Sequence, residues 1–275
     1  MTTTRRLLAT LLLAAAPSIA RSQAFVKVSV KPAASTSPTG RRLEILPNGD
    51  LIANAIPLIE LLSLAYDVPN NPSPRVTSLP EWAAHKGFDI EAKAPPALNL
   101  GNLDIAAQRR IVQQLIRRLL ADRFGLVLSV RNQSMPVYAL SVATGGPRLK
   151  RAAVTSSECI LDTDSQGCHS FAGGLGHPLN GNAVDMSDLA LYLENWTDLP
   201  VVNRTKLTGL YTLHSQGWVP MRLPPPPPGA TPAGNPFAGL PTLSAVLNSL
   251  GLTLVRQHEN MPIYTVASIR QPRTE

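Results

Sequence analysis

The feature that most constrains this chain is a repeat. Gly125-Leu126-Val127-Leu128 leads to Asn132-Gln133-Ser134-Met135-Pro136-Val137-Tyr138, and Gly251-Leu252-Thr253-Leu254 leads to His258-Glu259-Asn260-Met261-Pro262-Ile263-Tyr264. The spacing from Gly to Met-Pro-aliphatic-Tyr is the same in both copies, at an offset of 126. Each copy follows an apolar helical segment, residues 111–124 and 243–250, and each Gly stands where a helix C′ residue belongs. The pattern predicts helix, Gly stop, strand, polar turn and strand in each copy.

The upstream parts repeat more loosely. Asn54-Ala55-Ile56-Pro57-Leu58 enters a helix over 58–66, and Asn182-Ala183-Val184-Asp185-Met186 enters one over 186–195. Leu58, Leu61, Leu62 and Ala65 share one helical face, as do Met186, Leu189 and Leu193. Pro57 suits a first helical turn, and Asp185 can cap the second helix. A strand follows each helix, at 88–92 and 210–213. The expectation is an α+β protein of two similar lobes, each with helices packed on a small mixed sheet. Lobe one covers 25–150 and lobe two 178–270, joined by a linker at 151–177. A Pro-rich insertion at 223–236 contains Pro224 to Pro228, a run that favours polyproline II and carries no helix or core strand. It reads as a surface loop.

If the lobes are equivalent, the two Met-Pro-aliphatic-Tyr segments occupy equivalent strands. Alternation then places Tyr138 with Leu140, and Tyr264 with Val266, against the helix preceding each hairpin. The cleft between the lobes becomes the natural ligand or partner site.

Residues 1–24 read as a signal peptide. Arg5 and Arg6 form the positive region, 7–16 the short apolar region, and small residues allow cleavage after Ala20 or Ala24. Cleavage after Ala24 is favoured, because a β-like stretch begins at Phe25. The apolar region is too short for a membrane anchor, and no later run reaches spanning length. The formal charge is +7; removing the leader removes Arg5, Arg6 and Arg21 and no acid, leaving 22 bases against 18 acids, or +4. That modest charge on an exported chain argues against a nucleic-acid partner. The protein is expected in the periplasm or secreted.

Two cysteines, Cys159 and Cys168, lie close together, and in an oxidising compartment they read as a disulfide. Zinc on Cys168, His169 and His177 is the alternative, but the spacing is not that of a standard site. Asp162-x-Asp164-x-x-Gly167 resembles the start of a calcium loop but has Gly173 where the bidentate Glu belongs. No nucleophile elbow, zinc-protease motif or phosphate loop is present, so no catalytic residue, metal or cofactor is assigned. Arg109, Arg110, Arg117 and Arg118 flank the leucines of the helix before Gly125. They read as a solvated face, with an anion or envelope-polymer contact as the sharper alternative.

Several motifs together carry a resemblance. They are Val28-Ser29-Val30-Lys31-Pro32, Leu119-Leu120-Ala121-Asp122-Arg123-Phe124, Pro136-Val137-Tyr138-Ala139-Leu140, Gly145-Gly146-Pro147-Arg148-Leu149, and Pro200-Val201-Val202-Asn203-Arg204-Thr205-x-Leu207-Thr208-Gly209-x-Tyr211. The chain resembles, from about residue 25 to its end, an acidobacterial paralogous family of exported proteins of unknown function. Val26-Lys27 and Asn203 depart from that pattern, where acids are common. Some relatives carry the domain behind a BlaR-type membrane peptidase or sensor segment. A fainter likeness is to the short N-terminal domain of secretins and TonB-dependent receptors, which bind partner proteins in the periplasm. That family has no established activity, so it lends no catalytic residue; the leading expectation is an exported, non-catalytic binding or interaction module with an envelope protein or polymer as partner. The alternatives are an envelope-acting hydrolase, or a sensor domain for a separate membrane partner.

Overall fold

A computed structural model describes residues 24–34, 41–70, 73–156, 158–159, 167–174, 176–222, 237 and 239–272. The segment read as a signal peptide (but for Ala24), the Pro-rich insertion and most of the Asp162–Gly167 loop lie outside these. The protein is α+β. Among the described residues there are five α-helices and three four-stranded sheets.

The first sheet holds β1 (Lys27–Pro32), β2 (Arg42–Ile45), β3 (Leu51–Pro57) and β5 (Gly87–Lys93), in the order β1-β5-β3-β2. The short strand β4 (Val76–Thr77) stands apart. The second sheet holds β7 (Lys150–Arg151), β8 (Ser170–Gly174), β9 (His177–Val184) and β11 (Tyr211–Gly217), in the order β7-β11-β9-β8. Both are antiparallel throughout, and strand for strand their orders correspond.

The helices correspond too. α1 (Leu58–Tyr66) leaves β3 as α4 (Met186–Glu194) leaves β9. Just before each helix an alanine adopts a left-handed backbone, Ala55 at φ 52° and Ala183 at φ 45°. That conformation is costly for a residue with a Cβ. In β3 the register against β5 slips there, and Asp89 Oδ1 accepts the freed Ala55 N–H at 2.8 Å. The helix α2 (Glu81–His85) has no counterpart among the described residues. α3 (Ile105–Phe124) and α5 (Leu243–Ser249) precede the two repeat segments. α3 starts six residues before the apolar pattern becomes regular, because the Asp104 side chain caps it by accepting the Ala107 N–H. Gly125 at φ 59° and Gly251 at φ 72° end the two segments as the sequence indicated.

The hairpins expected after the glycines do not form. β6 (Val127–Val142) and β12 (Leu252–Ser268) are each one continuous strand, and they pair antiparallel along nearly their whole length. The polar segments 132–134 and 258–260 lie in the middle of this ribbon. Neither contains the Gly or Asn-Gly pair at positive φ that a tight hairpin demands, so each strand runs on. The third sheet is mixed, in the order β10-β6-β12-β4, with β10 (Val201–Asn203) and β4 running parallel to their neighbours. Val201 sits opposite Tyr138 and Val76 opposite Tyr264. The Tyr138 N–H donates to Pro200 O at 2.8 Å, and the Tyr264 N–H to Arg75 O at 2.7 Å.

Each long strand therefore leaves its own helix and finishes in the other lobe. Leu140 is fully buried in the second core with Val246, Leu250 and Trp218. Val266 is buried in the first core with Leu119, Leu120 and Phe124. The helix partners expected for these strands are exchanged. Tyr138 is half-buried against the second core, and Tyr264 packs on Tyr66 with ring centroids 5.2 Å apart. Val137 and Ala139 are buried as well, so both faces of this end of the ribbon are covered.

Candidate functional site: the cleft between the lobes

The N-terminus of α4 meets α1 and α3 where the lobes face each other. Asp185 caps α4 by accepting the Ser187 and Asp188 N–H groups, and Asp188 returns a bond to the Asp185 N–H. Asp188 is then gripped from both sides. Arg109 Nη2 of α3 donates to Oδ1 at 2.7 Å, and His169 Nδ1 lies 2.5 Å from Oδ2. Burial pushes the Asp188 carboxyl up, but the His169 bond and the Arg109 charge outweigh it and hold it below the ordinary carboxylate range. An ionised Asp188 can only accept, so His169 carries its proton on Nδ1 when neutral. Its Nε2 is buried with no hydrogen-bond partner among the described residues.

A second buried pair crosses between the lobes. Arg75 Nε donates to Glu194 Oε1 at 2.8 Å, with side chains 7% and 5% exposed. Arg75 also donates to Asp67 O at 2.6 Å. Burial raises the Glu194 carboxyl above its usual value, against the opposing pull of Arg75. Glu60 is likewise raised by burial and pairs with Arg41 at 3.1 Å.

Two cavities open around these groups. One of about 360 Å³ is lined by Asp67, Arg75, Arg109, Asp188, Glu194 and 201–203, among others. The other, of about 480 Å³, is lined by Arg41, Glu60, Ser63, Asp67, Asn70, Arg109, His169 and Phe171, among others. Such volumes suit a small ligand. Phe171 stacks on Tyr192 at 4.4 Å, and burial pushes the Tyr192 hydroxyl up to about 12. A further cavity of about 460 Å³ lies in lobe one and shares Arg41, Glu60 and Asn70.

Cys159 and Cys168 form a disulfide with Cα atoms 5.7 Å apart. This removes Cys168 as a thiolate ligand and with it the zinc alternative. The bond sits directly before His169, which is held at φ 56°. His169, Asp185 and Asp188 each place a ligand atom within 4.8 Å of the others. These oxygens already accept backbone, guanidinium and imidazole protons, and both Arg109 and the α4 N-terminus oppose a cation. The donor set suits a hydrogen-bonded cluster rather than a metal. His177 opens β9 and is not part of it.

The four arginines that the sequence singled out on α3 do not converge. Arg109 turns to Asp188. Arg117 donates to Ala65 O at 2.7 Å and lies over the Tyr66 ring at 4.7 Å. Arg118 pairs with Asp122 at 2.8 Å, and Arg110 is exposed. Sequence reasoning missed Asp67, Arg75, Asp188 and Glu194, and weighed His169 only as a zinc ligand. Asp188 had a local signal, an acid three residues after the cap at Asp185. Arg75 and Glu194 are 119 residues apart, and nothing local links them.

The fold and cleft define a two-lobed α+β domain whose lobes are tied by buried ion pairs over a polar cavity. Residues 59–269 match the family described as protein of unknown function DUF3738, and the chain belongs to that family. No curated protein and no solved structure matches it. None of the described helices is long and apolar enough to cross a membrane.

Proposed function

We propose that this is an exported, non-catalytic binding module whose ligand occupies the cleft between the lobes. The observation that carries this reading is the pair of cavities walled by both lobes and meeting at Asp67, Arg109 and Leu191. The disulfide and the leader-like N-terminus support export to an oxidising compartment. The module reads as two copies of one unit that have exchanged their terminal strands. The matching strand orders, the paired left-handed alanines and the ribbon symmetry support that history. The second copy takes in β7 and β8, so it begins before residue 178. Arg110 and Arg118 remain the surface part of an envelope-polymer contact.

The test is native mass spectrometry of mature protein purified from the cell envelope. A small molecule should co-purify with the wild type and be lost from Leu191→Trp, which fills the place where the cavities meet. Retention of the molecule by that variant would overturn the cleft as the site.

A further inference from the structure

Among the described residues, three line both interlobe cavities: Asp67, Arg109 and Leu191. The three guanidiniums around the cleft each have a carboxylate: Arg41 with Glu60, Arg75 with Glu194, and Arg109 with Asp188. Asp67 is the acid with no ion pair of its own among the described residues, though its charge already acts on Arg109. One of its oxygens, Oδ2, accepts from Gln113 Nε2 at 2.9 Å, and its backbone carbonyl accepts from Arg75, which fixes its position at the end of α1. It is exposed to the cleft at φ 50°. Arg109 uses one of its five N–H groups on Asp188, and its side chain is one-third exposed. A fixed guanidinium with open donors therefore stands beside a fixed carboxylate with an open oxygen, and an apolar side chain completes the junction.

We propose that the cleft binds the α-amino-acid group of a small ligand, with its carboxylate on Arg109, its ammonium on Asp67, and an apolar side chain against Leu191. A planar fork suits a carboxylate, and a carboxylate suits an ammonium. A ligand with one charge alone satisfies only half of the junction and covers the other partner's open positions without filling them. His169 adds a buried polar atom, Nε2, with no hydrogen-bond partner among the described residues, on the wall of the larger cavity. The assignment rests on the cleft being the ligand site.

The experiment is isothermal titration of the mature protein with L-leucine, with 3-methylbutylamine, which lacks the carboxylate, and with 4-methylpentanoate, which lacks the ammonium. L-Leucine should bind at least tenfold more tightly than either fragment. Asp67→Asn, at an exposed position, should weaken leucine at least tenfold without changing Tm, and Arg109→Gln should weaken both leucine and the acid. Equal binding of a fragment and leucine, an unaffected Asp67→Asn variant, or no heat with any of the three would overturn the assignment. The Leu191→Trp loss of the co-purified molecule reads independently. If it holds while these titrations fail, the cleft stands and the ligand class falls.

Discussion

Ser134 and Asn260 lie directly opposite one another in the central ribbon, and they are also the same position of the 126-residue repeat. The pairing is therefore symmetric about them. Val130 faces Tyr264, and their counterparts Arg256 and Tyr138 face each other in turn. This is the isologous contact of a two-fold dimer, made within one chain.

The Asp188 cluster should set part of the acid stability. The folded carboxyl lies below its ordinary value, so its contribution is present above about pH 4 and is lost as pH falls through the folded value. Asp188→Asn should cost about 2–4 kcal/mol at pH 7, because Arg109 and His169 lose a charged acceptor at a buried site. Urea melts from pH 2 to 7 should show a flatter acid limb in the variant. An unchanged limb would place the acid sensitivity elsewhere.

Glu194 has the opposite sign. Its raised folded value means that ionisation costs stability, and the cost is relieved as pH falls toward that value. Glu194→Gln leaves Arg75 buried without its countercharge and should destabilise by about 3–5 kcal/mol. The double variant Arg75→Met with Glu194→Leu should recover most of that loss. A double-mutant cycle by chemical denaturation checks it, and simple additivity of the two single losses would show that the side chains act separately.

The two glycine stops should differ in tolerance. Both require positive φ, but a Cβ on Gly251 would lie 2.2 Å from Gly146 O, whereas one on Gly125 meets first the movable Arg270 side chain at 3.2 Å. Gly125→Ala should cost about 1 kcal/mol and Gly251→Ala clearly more. Thermal melts give the order, and equal losses would mean that the 145–147 turn yields freely.

Removing the disulfide should lower stability by about 2–3 kcal/mol on the chain-entropy model. Cys159 is buried beside Ile105, the first residue of α3, so the loss reaches the lobe contact. The Cys159→Ala, Cys168→Ala double variant should melt earlier than the oxidised wild type and match wild type in reductant. A variant as stable as the oxidised protein would make the bond dispensable.

Much of the fold was legible from local signals. The apolar faces of α1 and α4, the cap at Asp185 and the glycine stops each act over a few residues, and each lies where the pattern put it. The partner of each repeat strand was not legible. Hydrophobic alternation fixes which residues face a core, but not which core, and Leu140 serves a helix more than 100 residues downstream. The cleft was legible only as a place. Its ion pairs join residues such as Arg109 and Asp188, 79 apart, whose meeting depends on the assembled lobes.

The crossing of β6 and β12 also governs when the protein can fold. Val266 belongs to the core that residues 30–126 otherwise build, yet it is among the last residues described. A chain emerging N-terminus first has every helix of lobe one in hand and still lacks the strand that closes it. Until that strand arrives, the inner edge of β6 stays open, and the nascent chain must be kept from pairing with a neighbour. The order of synthesis thus delays completion of both lobes to one late, shared step.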